Sequence, residues 1–374
     1  MRKPVNPFIL SGYHSPEYFC DREEDLAWLM EQFENERNAV LYSWRRMGKT
    51  ALLKHFFHSL HRHKKGEGIF IDLLGTASLT EANKRIASGI VQHFGEPEKG
   101  VGAGMMKLLG SIGATVGIDP LSGTPQLTFG ISGSTQSVPA SFEAMGSFLA
   151  ENKKPVVICL DEFQQVVNYP EPSAEAVFRT WMQDFPMVRF VFSGSHREMM
   201  VSMFSERSRP FYRSAQIRQL DPLSEPVYGP FIRSFFQKAG KKIEQATIDK
   251  VFRWTRLQTY YVQLVCNKLF GKADIINDKL TNEVFDEILQ QETPLLSSYQ
   301  QLLTNFQWKL LVALARSEGT EIPLSKDFLR TNELGAASSV STALRTLMKK
   351  EFVIHEGGKY TLHDTLLFRW LQRL

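Results

Sequence analysis

Short apolar runs recur between amphipathic stretches through the first 223 residues, and that alternation restricts the fold more than any other feature. Residues 38–42, 68–74, 156–160 and 188–193 each read as a strand. Helical periodicity fills residues 21–33, 49–61, 79–94, 141–151 and 174–185. In the first of these, Leu26, Leu29, Met30 and Phe33 share a face, and Asp21 with Glu24 gives a capping-box-like start. Strands alternating with helices at this spacing predict an α/β fold, a parallel sheet with helices on both faces. Residues 218–223 supply a fifth strand and the exit from the sheet. The expected core therefore spans 1–223, with a Gly-, Ser-, Thr- and Pro-rich insertion at 95–139. Within it 119–123 reads as a turn and 124–131 as a hairpin strand.

The pattern changes after the core. Residues 225–291 carry only helical patterns, for example 227–237 and 261–270, so 224–294 is expected to be a helical lid subdomain ending at Pro294. In 295–374, Leu302, Leu303, Phe306, Leu310 and Leu314 mark one helix, and Val340, Leu344, Leu347 and Met348 another. A run at 352–354, a Gly357-Gly358 turn and a run at 360–362 follow. Helices followed by a two-stranded wing predict a winged-helix domain.

Composition excludes several classes. A chain of 374 residues is long enough for two or three domains. Lys and Arg number 44 against 40 Asp and Glu, a net +4 that does not by itself diagnose nucleic-acid binding. Cys20, Cys159 and Cys266 are odd in number and widely spaced, so neither a disulfide framework nor a cysteine zinc site is expected, and a reducing cytoplasm suits them. The N-terminus lacks the apolar run of a secretory signal. Residues 101–118 raise a membrane question, but Lys107 and the many glycines favour a core or interface segment over a span. His55, His58, His61 and His63 lie among cations without a carboxylate, which reads as a solvated helix end rather than a metal cluster. No His-Glu-x-x-His or Gly-x-Ser-x-Gly occurs, so neither a zinc protease nor an α/β-hydrolase is supported.

The chemistry concentrates in three places. Ser43-Trp44-Arg45-Arg46-Met47-Gly48-Lys49-Thr50-Ala51 joins a strand to a helix N-terminus, the setting of a phosphate-binding loop. Gly48 lets the backbone approach phosphate, and the following amides and helix dipole stabilise its charge. Lys49 is placed for the β- and γ-phosphates, and the Thr50 hydroxyl for magnesium. Second, the apolar run at 156–160 ends in Asp161-Glu162. Acids at the carboxyl end of a buried parallel strand lie where such sheets bind ligands. Asp161 is expected to hold magnesium and Glu162 to polarise an attacking water. Third, Phe190-Val191-Phe192-Ser193-Gly194-Ser195 is either a γ-phosphate-sensing strand end or simply a strand-ending turn. No Asn-Lys-x-Asp guanine reader occurs, which favours adenine.

Arg209 and Arg213 are candidate arginine fingers acting across an interface, and surface ion pairing is the bland alternative for each. The second winged-helix helix offers Ser338, Ser339, Ser341, Thr342, Arg345, Lys349 and Lys350 for phosphate and base-edge contacts, with Ser339, Thr342, Arg345 and Lys349 the principal DNA candidates. Residues 299–374 hold ten Lys and Arg against seven Asp and Glu, which permits DNA binding and equally permits a docking or oligomer module.

In this order the motifs resemble the archaeal-type ATPase family within the AAA+/STAND division of P-loop proteins, over nearly the whole chain outside 95–139. Phe19-Cys20-Asp21-Arg22-Glu23-Glu24-Asp25-Leu26 is similar to that division's hydrophobic-Gly-Arg-Glu box, with Asp21 for its Gly and Asp25 for its last Glu. The resemblance implies that Phe19 and Arg22 lie near adenine. The loop is similar to Gly-Pro-Arg-Arg-x-Gly-Lys-Thr, with Ser43 and Trp44 departing from it. The resemblance further implies that Asp161 and Glu162 are the magnesium-binding and catalytic acids, Ser193 and Ser195 belong to the sensor strand, and Arg213, after Pro210-Phe211-Tyr212, is the finger. Residues 260–264 resemble the lid helix after a Gly-x-Pro turn, whose Pro is Thr259 here. The resemblance implies a P-loop ATPase in which ATP hydrolysis with magnesium drives a conformational switch, and it supplies no client. The chain is further expected to be cytoplasmic and homo-oligomeric when ATP-bound, with DNA through the winged helix or a protein client as candidate partners. A nucleotide-gated DNA-binding regulator with little turnover is the alternative.

Overall fold

In the computed structural model, residues 3–95, 109–110 and 137–374 are described in full and residues 114–118 and 125–129 by their backbone. The chain forms two compact units, one of residues 11–223 and one joining the segment through Leu10 to residues 224–374.

The first unit holds helices α1 (Glu23–Glu34), α2 (Lys49–Arg62), α3 (Leu79–Phe94), α4 (Val138–Ala150), α5 (Ala174–Asp184) and α6 (Arg197–Ser205). Its strands are β1 (Ala39–Tyr42), β2 (Glu67–Asp72), β3 (Ala114–Ile118), β4 (Pro125–Phe129), β5 (Val156–Asp161), β6 (Val188–Gly194) and β7 (Gln216–Gln219). Five of them make a parallel sheet in the order β2-β5-β6-β1-β7. Every residue of β5 and β6 is buried, as expected of central parallel strands covered on both faces. Alternate side chains divide between two cores. Val157 and Cys159 pack with Leu29, Leu53 and Phe56 of α1 and α2. Val156, Ile158 and Leu160 face α3 to α6, among Ile86, Met145, Phe178 and Met203. β3 and β4 form an antiparallel hairpin, while the turn expected at 119–123 and most of the 101–118 segment lie outside the described residues.

Some sequence expectations need local correction. Helix α1 starts at Glu23, not Asp21, because Asp21 and Arg22 take left-handed backbone (φ 53° and 69°), and no side chain caps it. Glu23, Glu24 and Asp25 in the first turn stabilise that end through the helix dipole instead. β7 begins two residues before the expected fifth strand, since its register with β1 opens at Gln216 opposite Ala39 and ends at Gln219 opposite Tyr42.

The second unit contains α7 (Glu225–Lys238), α8 (Gln245–Thr255), α9 (Thr259–Lys272) and α10 (Asp278–Ser298), with the two-residue parallel pair β8 (Lys242–Ile243) and β9 (Ile275–Ile276). Pro294 lies inside α10, where its missing N–H removes one ladder bond without ending the helix. Then come α11 (Asn305–Arg316), α12 (Lys326–Thr331), α13 (Ala337–Lys349), the antiparallel wing β10 (Val353–Glu356) and β11 (Lys359–Leu362), and α14 (Thr365–Leu371). Thr304 and Gln307 form a capping box, so α11 starts at Asn305 and leaves Leu302 and Leu303 outside it. Phe8 is buried against Phe235, Phe236 and Phe270, and Asn267 donates to its carbonyl.

The α8–α9 turn and the winged helix are joined by specific bonds. Arg256 donates to the Leu362 carbonyl at 2.7 Å and lies 4.9 Å from the Phe368 ring centre. Tyr261 Oη donates to Asp364, and Arg369 Nε to the Trp254 carbonyl at 2.9 Å.

Candidate active site

The carboxyl ends of β1, β5 and β6 lie side by side, with β6 between the other two. From β1 the chain turns through residues 43–48 into α2. The turn needs left-handed backbone at Arg46 (φ 70°) and Gly48 (φ 93°), and Gly48 is the N-cap of α2. A glycine cap brings no side chain, so the first amides of α2 carry no side-chain cap and suit an anion. Ser43, where the resembled motif has Gly, is absent from the left-handed residues. Its hydroxyl donates to the Trp44 carbonyl at 2.9 Å. Met47 is buried, Trp44 partly so, and Arg45 and Arg46 are exposed, with Ala51 in the first turn of α2.

Lys49 is buried, and its ammonium donates to the Ser43 carbonyl and hydroxyl at 3.2 and 3.3 Å. Burial pushes its pKa down, and the nearby Asp161 and Glu162 carboxylates pull it back. At the end of β5, Asp161 accepts from the Thr50 hydroxyl at 3.2 Å and from the Glu162 amide at 3.1 Å. Burial pushes the Asp161 carboxyl above its usual range, opposed by Ser193 and Lys49. A buried carboxylate beside a hydroxyl is an oxygen donor pair that fits a hard divalent cation. Among the described residues no group of three or more His, Cys, Asp or Glu side chains gathers.

Glu162 follows in left-handed backbone (φ 54°), and its Oε2 accepts from Ser195 Oγ at 2.7 Å and from Gln164 Nε2. Arg45 Nε lies 3.5 Å from the same Ser195 oxygen. The structure therefore gathers Ser43, Lys49, Thr50, Asp161, Glu162, Ser193 and Ser195 at one end of the sheet. Gln164 joins them without having been singled out in the sequence. Only its position two residues beyond the acids hinted at it.

Arg22 and Phe19, implied to lie near adenine, make these contacts within the protein. The Arg22 guanidinium is buried, donating to the Asp221 carbonyl at 2.6 Å, to Asp25 at 3.3 Å and to the Met47 carbonyl at 3.3 Å. It thus ties α1 to the loop from behind. The Phe19 ring stacks on His55 at 4.5 Å, and the Tyr13 hydroxyl is 2.8 Å from His55 Nδ1. His55 is therefore half-buried, unlike the solvated His61 and His63, and burial lowers its pKa.

The two candidate fingers separate clearly. Arg209 is paired with Glu175, whereas Arg213 is exposed over the Tyr212 ring at 5.4 Å. On α13, Ser339, Thr342, Arg345 and Lys349 are exposed along one face. Beside them a groove of about 580 Å³ is lined by Ile322, Pro323, Leu344, Arg345, Met348 and Tyr360. Among the described residues no helix is long and apolar enough to cross a membrane.

Comparisons with known proteins agree with this geometry. A family described as an ATPase domain predominantly from Archaea matches residues 19–265, and a probable winged helix domain matches residues 295–373. The chain belongs to that ATPase family. It is similar in fold to the Walker-type ATPase PABY2304 of Pyrococcus abyssi, with TM-score 0.68 and 17% identity over 98% of this chain and 99% of that one. It is also similar to the Aeropyrum pernix ORC2 protein in its ADPNP-ADP complexes, with TM-score 0.60 and 12% identity over 98% and 95%. The A. pernix ORC1 protein in complex with DNA gives TM-score 0.50 and 13% identity over 96% and 93%. No curated protein matches the chain. The protein is a P-loop ATPase with a C-terminal winged helix.

Proposed function

We propose that the chain hydrolyses ATP to ADP and phosphate with magnesium, and that the nucleotide state switches its conformation. Carrying this reading is the convergence of Lys49, the Thr50–Asp161 pair and Glu162 at the carboxyl ends of β1 and β5, the strands on either side of β6. In the proposed roles, the residue 43–51 loop binds the phosphates, Lys49 contacts their β and γ groups, and Thr50 and Asp161 hold magnesium. The cation, when bound, neutralises charge on the phosphate oxygens. Glu162 takes a proton from the attacking water, and Ser193 and Ser195 sense the γ-phosphate. Arg213, exposed and without a carboxylate partner among the described residues, is the finger that a second copy would receive in an ATP-bound oligomer. The functional units are a core (1–223), a lid (224–294) and a winged helix (295–374). The test is ATP turnover that requires magnesium and that Lys49→Ala and Glu162→Gln each abolish. Turnover by the wild type no faster than by either variant sinks the reading.

A second reading, a nucleotide-gated DNA-binding regulator with little turnover, is favoured by one observation. Residues 337–349 contain no acid, and their exposed face carries Ser339, Thr342, Arg345 and Lys349. A. pernix ORC1, a fold neighbour, is seen with DNA. Tight ATP binding without phosphate release, with a salt-sensitive DNA shift lost in Arg345→Glu, would favour this reading; no shift at low salt would exclude it.

A further inference from the structure

Glu162 stands where a side chain is hard to aim. Its own backbone is left-handed, and it opens the 3₁₀ turn Phe163–Asn168 without a side-chain cap. A carboxylate on such a residue keeps one direction only if its neighbours hold it. Two donors reach a single oxygen, Oε2. Ser195 Oγ arrives from just beyond β6, and Gln164 Nε2 arrives from the first turn after Glu162 itself.

Gln164 is 5% exposed, and a buried amide has few reasons to sit beside a carboxylate other than to donate to it. Its Oε1 has no hydrogen-bond partner, so the bond to Glu162 is the one this side chain was placed for. The facing strand makes room for it. A Cβ at Gly194 would fall 2.4 Å from Gln164 Oε1 and 2.5 Å from Met200 Sδ. Gly194 is not among the left-handed glycines, so space, not backbone conformation, calls for glycine at that point.

We propose that Gln164 is a positioning residue for Glu162, and that Gly194 at the end of β6 is the gap that admits its amide. With Oε2 occupied by two donors, the carboxylate is oriented and Oε1 is the oxygen left to take a proton from water. This deepens the hydrolytic reading above and rests on Glu162 being the base.

Gln164→Met isolates the effect, because methionine keeps the length and bulk beside Gly194 but cannot donate. The full chain is assayed for kcat and KM with ATP, for affinity toward a non-hydrolysable ATP analogue, and for melting temperature. The expected result is a kcat lower by about 10–100-fold, of the order lost when a reacting group is misplaced. KM and analogue affinity stay within about threefold, because the interaction acts on the transition state. A second comparison uses Glu162→Gln and the double variant Glu162→Gln/Gln164→Met in single turnover. The double variant should be no slower than Glu162→Gln, since the group that Gln164 orients is already gone. Wild-type kcat in Gln164→Met alongside a dead Glu162→Gln overturns the proposal and leaves the base assignment standing. So does a Gln164→Met loss that multiplies in full onto Glu162→Gln. An active Glu162→Gln overturns the base assignment and the proposal together.

Discussion

Arg22 offers a direct choice between two roles. The resemblance to the hydrophobic-Gly-Arg-Glu box implies a residue near adenine, while its bonds make it a brace behind the phosphate loop. Its guanidinium is 8% exposed and holds Asp25, the Asp221 carbonyl and the Met47 carbonyl. Removing one partner of a buried ion pair ordinarily costs about 3–5 kcal/mol. Here Asp25 keeps Arg218, whose Nε donates to it at 2.7 Å, so the carboxylate is not left alone. Two backbone carbonyls do lose a donor, at about 1–3 kcal/mol each where water cannot replace it. The net for Arg22→Ala is therefore about 3 kcal/mol.

For a unit of this size that loss lowers the melting temperature by about 6–12 °C. The Met47 carbonyl is released at the same time, so the loop loses a restraint and KM for ATP rises together with the fall in stability. Calorimetry and steady-state turnover on the same preparations check both expectations. Arg22→Lys restores the charge but not the planar fork, and should recover only part of each. A melting temperature within about 2 °C of wild type, with KM still raised, refutes the brace and returns Arg22 to the nucleotide.

Three further outcomes rest on individual side chains. Arg209→Ala strips the cation from Glu175, whose other oxygen is buried without a partner, and should cost about 2–3 kcal/mol in melting experiments. Arg213→Ala should leave stability within about 0.5 kcal/mol yet cut ATP turnover by about a thousandfold, and equal turnover in wild type and variant rejects Arg213 as the finger. Arg256→Ala removes a charge-assisted bond to the Leu362 carbonyl and the contact with Phe368, about 2–4 kcal/mol in all. Hydrogen exchange should then rise in the α8–α9 turn and β11, and unchanged exchange in both would show that the bond joins nothing.

What the sequence made legible is what a chain records locally. The full burial of β5 follows from five consecutive apolar residues, and Gly48-Lys49-Thr50 are neighbours by covalent bond. Asp161-Glu162 could be placed at a strand end for the same reason. The features that were not legible join distant residues or depend on backbone sign. Arg22 meets Met47 across twenty-five residues, Gln164 fits because residue 194 has no Cβ, and Tyr13 draws His55 out of the solvated set. The start of α1 falls later than the capping pattern suggests because that pattern is written in residue types, whereas the left-handed backbone of Asp21 and Arg22 keeps both out of the helix. Pro294 does not end its helix, since a local breaker is overruled by the buried contacts of α10 through Leu289 and Leu296.

Ser43 shows how these levels combine. Judged by residue type, a serine at the first position of the resembled loop threatens a turn that there begins with glycine. The structure puts the left-handed strain elsewhere, on Arg46 and Gly48, so residue 43 needs no conformation that a side chain forbids. What serine adds is an oxygen, and that oxygen accepts from the Lys49 ammonium while donating to the Trp44 carbonyl. A lysine buried to 7% exposure needs acceptors at all times, and burial already weakens its charged form. Ser43 therefore keeps Lys49 hydrogen-bonded and aimed within the loop by two contacts at 3.2 and 3.3 Å, both longer than a strong charge-assisted bond. Phosphate oxygens accept more strongly than a hydroxyl or a carbonyl, so the exchange favours nucleotide. Ser43 thus gives Lys49 two acceptors within the loop without needing left-handed backbone at residue 43.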